Sequence, residues 1–293
     1  MHVFKAILYF FTKYIWLFAR YVLILPQIPV RMKVKDVTDA LEQFAPLPMQ
    51  DDFDNAGLQV GLTAADEVTG ALLCLDVTEE VVAEAAERGL NMIIAHHPLL
   101  FHPLRRVADD DYVQRCVVRA VREGIAIYAA HTNLDNVVGG VNWEMAARLG
   151  LQDVQLLTQR ICQGRACGAG IIGQLPTALD ERIWLEKLKT TFNVQCLKHN
   201  ALANRQIRRV ALCGGAGAFL LKDAIAAEAD SFVTGEFHYH DWFGHNHDLL
   251  MVEMGHYESE QYTIDLLGRL LAEALPTLHT EKTKLNTNPI NIY

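Results

Sequence analysis

Ile93-Ile94-Ala95-His96-His97-Pro98 is a short apolar run that stops at two adjacent histidines and a proline. A run of this length bounded by a breaker reads as a buried strand, and Pro98 cannot donate to a sheet ladder, so both imidazoles fall where strand becomes loop. In open α/β folds that is where ligands bind. Neighbouring side chains on a strand point to opposite faces, so two adjacent histidines serve one site only if the backbone turns, or if each takes a different metal. The pair points to two metals rather than one.

Upstream of that run, residues 72–77 read as a strand, Thr78 as an N-cap, Glu79 and Glu80 as a helical first turn and Gly89 as the stop. With the strand at 92–95 this makes a βαβ unit with parallel strands. Downstream, a helix over 111–123 stops at Gly124, and a strand over 125–130 ends at His131-Thr132-Asn133-Leu134-Asp135. Before the unit, an amphipathic helix spans 34–44, with Val34, Val37, Leu41 and Phe44 at helical spacing. Asp54 and Asn55 belong to a turn-rich stretch ahead of a short strand at 58–61, where they either close the turn or join a site.

A second pass through the plan follows residues 163–170, a polar stretch read as the connection between halves. Its elements are a helix over 183–192, a strand over 210–213 running into Gly214-Gly215-Ala216-Gly217, a helix over 219–229 and a strand over 231–234 ending at Gly235-Glu236. A strand over 249–253 then reaches Gly255-His256-Tyr257-Glu258-Ser259-Glu260, and a long helix runs on to about residue 275. His131-x-x-x-Asp135 and His256-x-x-x-Glu260 occupy the same place in each half, 125 positions apart. The expectation is an α/β protein of two pseudo-repeated lobes, 32–160 and 161–293, with mixed sheets and a site between them.

Composition narrows the function. The chain has 293 residues, 51% hydrophobic, enough for one large or two modest cores. Lys5, Lys13, Arg20 and Arg31 stand in the first 31 residues with no acid, so the rest is four charges more acidic than the net −9. Such a body suits no nucleic-acid backbone. The six cysteines form no Cys-x-x-Cys pair and read as reduced, buried thiols of a cytoplasmic protein. Residues 7–25 are long enough to span a bilayer, but Lys13 and Arg20 interrupt them on one helical face, which suits an interfacial helix better. Either residues 1–31 are a peripheral or inner-membrane tether, or, the favoured reading, they are an over-extended start and Met32 is the first residue.

The chemistry rests on His96, His97, Asp135, His256 and Glu260, delivered by three separate strand ends. Neutral imidazoles with carboxylates suit zinc, manganese, iron, cobalt or nickel, and no thiolate narrows the choice. Glu260 lies four residues past His256, so both face one pocket on a helix. A carboxylate bridges two cations about 3.5 to 4 Å apart, as two-metal hydrolytic sites require, and hydrolysis is the reaction class expected. His131 reads as a group behind the ligands, a substrate contact or a catalytic histidine, or else as a side chain that only satisfies a backbone carbonyl. His240, five residues past Gly235, is the other candidate acid or base. His238, His245 and His247 fall in a histidine-rich loop without an assigned role, and His199 and His279 read as structural. The glycines at 214–217 read as a tight turn, since they lack the lysine and Ser/Thr of a phosphate-binding loop.

At these residues the sequence resembles the GTP cyclohydrolase I type 2 homologues, the Nif-three-like dinuclear metal-centre proteins. The matching segments are Asp54-Asn55-Ala56-Gly57-Leu58-Gln59-Val60-Gly61, Ala95-His96-His97-Pro98-Leu99-Leu100-Phe101, Ala130-His131-Thr132-Asn133-Leu134-Asp135, Thr234-Gly235-Glu236, Gly255-His256-Tyr257-Glu258-Ser259-Glu260 and the tail Asn288-Pro289-Ile290. The resemblance covers 32–293 and implies two α/β lobes without the inserted domain some members carry, assembled as a toroidal homohexamer. It implies His96 and Asp135 on one divalent metal, His97 and His256 on the second, and Glu260 bridging. The family name implies a nucleotide substrate, with opening of the guanine ring of GTP by hydroxide generated at the metals. Hydrolysis of another nucleotide or phosphoester, or a non-catalytic metal-binding scaffold, are the alternatives.

Overall fold

Val34, Val37 and Leu41 recur on one helical face and are buried along α1 (Val34–Phe44), the first element of a computed structural model that describes residues 32–61 and 66–293. The expected extension at 1–31, with its start-site and tether readings, lies outside the described residues. After β1 (Gly57–Val60) come β2 (Ala71–Cys74), α2 (Glu79–Glu87), β3 (Met92–Ala95), α3 (Tyr112–Glu123) and β4 (Ala126–Ala129). The Thr78 hydroxyl accepts from the Val81 N–H, the Asp111 carboxylate from the Gln114 N–H, and Gly124 leaves α3 at φ +67°. These are the expected starts and stops.

The chain continues through α4 (Thr132–Asn136), α5 (Val141–Leu149), β5 (Gln152–Leu156), β6 (Arg160–Cys162), β7 (Arg165–Cys167), β8 (Ile171–Asp180), α6 (Glu181–Phe192), β9 (Lys198–His199) and β10 (Gln206–Cys213). A 3-10 turn leads into α7 (Leu221–Ala226), then β11 (Ser231–Thr234), β12 (Leu250–Glu253), α8 (His256–Glu260), α9 (Thr263–Ala274) and β13 (Thr280–Lys282). One mixed sheet has the order β1-β4-β3-β2-β13 and the other β5-β8-β10-β11-β12-β9.

Each sheet is built on three consecutive parallel strands, β2-β3-β4 in one and β10-β11-β12 in the other. Parallel strands covered on both faces should be apolar throughout, and all four residues of β2, β3 and β4 are buried. Their side chains alternate between two layers. Ala71, Leu73, Met92, Ile94 and Tyr128 pack with residues of α1 and α9, whereas Leu72, Cys74, Ile93 and Ile127 pack with residues of α2 and α3. The second sheet repeats this, with Val210, Leu212, Val233 and Val252 against α5 and α6, and Ala211, Phe232 and Met251 against α7. His96, His97 and His131 follow β3 and β4, and Gly235 and His256 follow β11 and β12, as the repeat requires.

Several expectations need correction. Residues 163–170 are not a plain connection, because β6 and β7 pair as a hairpin whose turn residues Gln163 and Gly164 both take positive φ. The helix at 219–229 shortens to α7, and the long terminal helix is two, α8 and α9, interrupted at Gln261-Tyr262. The two sheets do not follow chain order throughout: α5 and β5 pack with the second sheet, while α9 and β13 return to the first. The cause is the apolar face of α9, whose Leu266, Leu267 and Leu271 bury against β2 and β3. All six cysteines are free, although Cys196 is exposed and Cys162 half-buried rather than buried. No helix among the described residues is long and apolar enough to cross a membrane.

Candidate metal centre

The carboxyl-terminal ends of the parallel strands from both sheets border a cavity of about 510 Å³ lined by His97, His131, Asp135, His256 and Glu260. Pro98 ends the β3 ladder, so the chain turns there and both histidines reach the same group of side chains. The His96 Nδ1–H donates to the Ala130 carbonyl at 2.7 Å, directing Nε2 inward. His97 stands between two carboxylates, with Nδ1 2.7 Å from Asp76 Oδ1 and Nε2 2.9 Å from Glu260 Oε2. His256 is held the same way, Nδ1 2.8 Å from Glu236 Oε1 and Nε2 3.2 Å from Glu260 Oε2. The second oxygen of Glu260, Oε1, lies 3.7 Å from His96 Nε2, which is also 3.7 Å from Asp135 Oδ1.

Two sets of donor atoms therefore share Glu260: His96 with Asp135, and His97 with His256. The donors fit divalent ions on an observation independent of their chemical type. His96 Nε2 and Asp135 Oδ1 are buried without a hydrogen-bond partner, although they face each other. A buried orphan nitrogen and oxygen cost about 1–3 kcal/mol each unless a third body satisfies both. Carboxylates or a backbone carbonyl behind every imidazole are what metal-ligating histidines ordinarily require.

His131 joins His96 and His97 as a third imidazole, its ring centre 5.3 and 5.5 Å from theirs. Its Nδ1 is 2.7 Å from Asp54, whose carboxylate also accepts from the Thr132 and Asn55 N–H groups. Asp54 thus orients His131 as well as closing its turn. His240 is not brought to the group. It is exposed, on the turn Tyr239–Trp242, with its ring against Tyr239 and Phe243. His199 bonds the Asn200 carbonyl, His279 bonds Glu281, and His245 bonds Asp248.

Sequence reasoning passed over Asp76 and Glu236, the carboxylates behind His97 and His256, and the purpose of the glycines. Gly214 and Gly215 lie against Glu260. A Cβ on Gly214 would stand 3.2 Å from Glu260 Cγ, and one on Gly215, at φ +62°, would overlap Glu260 Oε1. The turn is tight because the carboxylate occupies the space a side chain would need. The Gly215 N–H donates to Ser259 Oγ at 2.9 Å, which ties this turn to α8.

The metal-free cluster is held by charge. Burial opposes protonation of His97, but its bonds with Asp76 and Glu260 prevail and raise it to about 10. Burial likewise opposes the charge on His256, and Glu260 raises it to about 9. Burial also works against the charge on Glu260, yet His256, His96 and His97 hold its carboxyl well below the usual carboxylate range. Asp135 goes the other way, pushed well up by burial and then by the charge of Glu260. Burial would raise Asp54, but His131 and Thr132 bring it down to about 2.

A metal must displace the protons on His97 and His256, so apparent affinity should rise with pH up to about 10, less steeply once His256 has ionised near 9. At pH 7 uptake should release about two imidazole protons. Calorimetric titration in buffers of different ionisation enthalpy reads that number, and a pH-independent affinity between 6 and 9 would contradict it.

Residues 32–289 match the family described as Duf34/NIF3 (NGG1p interacting factor 3). A GTP cyclohydrolase 1 type 2 homolog of Lactococcus lactis is 35% identical over 252 residues, covering 83% of this chain and 91% of the relative. NIF3-like protein 1 of Drosophila melanogaster is 30% identical over 250 residues, 83% of each chain. The crystal structure of the Staphylococcus aureus hypothetical protein SA1388 superposes with a TM-score of 0.82 at 25% identity, over 90% of this chain and all of that one.

Proposed function

Because the chain belongs to the Duf34/NIF3 family, we propose that it is a hydrolase dependent on two divalent metal ions that opens a purine ring, the chemistry suggested by the name GTP cyclohydrolase 1 type 2 homolog. The observation that carries this reading is the buried Glu260 carboxylate, whose two oxygens face different donor pairs. His96 and Asp135 would hold one ion, His97 and His256 the other, with Glu260 shared. Two such ions supply Lewis acidity and make water nucleophilic near neutral pH.

The remaining roles belong to the chain. Phe53, Phe101 and Phe219 line the cavity, all three exposed, and offer flat faces for stacking a heterocycle. Asp54 fixes the His131 ring through Nδ1, leaving the other ring nitrogen to exchange a proton with bound substrate.

One observation favours a variant of this reading. Among the described residues no lysine or arginine lines the cavity, whereas acids at 51, 76, 135, 236 and 260 do. No lysine or arginine among the described wall residues would pair with a triphosphate, whose charge would then rest on the metal ions alone, so a purine with fewer phosphates fits the walls better. Metal-loaded protein should be given GTP and guanosine in parallel while the purine absorbance is followed. Ring opening with guanosine kcat/KM equal to or above that of GTP is expected. A preference for GTP above about tenfold would restore the triphosphate, and full metal occupancy with turnover of neither would leave a metal-binding scaffold.

A further inference from the structure

Behind the donor atoms the chain returns a last time. Past β13, Thr287 Oγ1 donates to Asp76 Oδ2 at 2.8 Å, while the other oxygen of that carboxylate holds His97. The next residue, Asn288, donates from Nδ2 to Glu258 Oε1 at 2.9 Å, and Glu258 lies between His256 and Glu260 on α8. Adjacent residues thus grip the support of a first-sheet donor and the helix that carries the second-sheet donors. Asn288 and the two residues after it, Pro289 and Ile290, line the cavity.

The path of the segment is set locally. The N–H groups of Leu285, Asn288 and Ile290 donate to the side chains of Thr283, Asn286 and Asn288, each two residues earlier. Such turns give a short segment one path without a helix or strand to hold it. We propose that Thr287 and Asn288 form a positioning strap, which holds the Asp76–His97 pair and α8 in the mutual register that the shared Glu260 requires. The strap rests on the two-ion reading, and it acts on the donors through Asp76 and Glu258.

The physical reason is rotational. A carboxylate that accepts on one oxygen alone swings about its Cβ–Cγ bond, whereas one that accepts on both is fixed, and so is the imidazole it orients. Thr287→Val deletes the donor at nearly constant shape, Thr287→Ser keeps it, and Asn288→Ala releases α8 while leaving Asp76 in place.

Two measurements on the full chain test this. In metal-free protein, NMR of the His97 Nδ1–H should show solvent exchange about tenfold faster in Thr287→Val and unchanged in Thr287→Ser and Asn288→Ala. In cobalt(II) titrations followed by visible absorption, Thr287→Val should weaken one of the two equivalents about 10–100-fold, with Thr287→Ser restoring it. Asn288→Ala should weaken cobalt binding about tenfold through α8. Wild-type exchange in Thr287→Val, or wild-type cobalt affinity in both Thr287→Val and Asn288→Ala, would overturn the strap. Faster exchange in Thr287→Val in a protein whose wild type takes up no cobalt would uphold the strap and remove the two-ion reading instead.

Discussion

Glu260→Gln is expected to weaken retention of both divalent ions by about a hundredfold or more and to bring hydrolysis below about 1% of wild type. Glutamine keeps the shape but loses the charge, and its nitrogen end is no ligand. Because Oε1 faces His96 and Oε2 faces His97 and His256, either orientation of the amide turns an NH2 toward one donor set. Metal analysis after dialysis, beside turnover, reads both effects. Loss of one equivalent alone would assign Glu260 to a single ion, and retention of two would sink its shared role. The metal-free protein should suffer as well, because His97 and His256 lose the buried partner that keeps them charged. Removing one member of such a cluster costs about 3–5 kcal/mol, reduced here as far as the imidazoles deprotonate instead.

Gly215→Ala is expected to weaken metal binding about tenfold or more without touching a ligand atom. The new methyl group would overlap Glu260 Oε1 and stand 3.3 Å from His256 Nε2, so the carboxylate must move away from the donors it joins. The positive φ adds about 1–2 kcal/mol of backbone strain for any L side chain. Gly164→Ala separates the two effects, since Gly164 also has a positive φ, +75°, but nothing within 4 Å of the added Cβ. Thermal melts should show a loss in both variants, and metal titration a loss in Gly215→Ala alone. Equal metal affinity in the two would mean that the glycine serves only the backbone.

The strand Met92–Ala95 was legible to the residue because apolar run, histidines and proline mark both ends. The three strand ends that deliver His96, His97, Asp135, His256 and Glu260 were legible for the same reason, and the structure brings those five together with His131. Their division into two donor sets came from the family resemblance, since spacing along the chain carries no angles. Asp76, Glu236 and Thr287 stayed hidden because each acts through a bond to a residue 20 to 211 positions away. The place of His240 was not legible, because nearness in sequence to a Gly-Glu turn says nothing of which way a surface turn faces. β5 and β8 escaped detection because β5 is polar and partly exposed, and β8 contains Pro176 and ends at an acid.

The return of β13 to the edge of β2 has a consequence for biosynthesis. A nascent chain that has emerged only through residue 150 already displays His96, His97 and Asp135, yet its first sheet still lacks a flanking strand and the covering helix α9. His256 and Glu260, more than 100 residues further on, are not yet synthesised. The centre therefore cannot assemble before Glu260 has emerged, and a product aborted earlier carries half a chelate beside an open sheet edge prone to pairing with other chains.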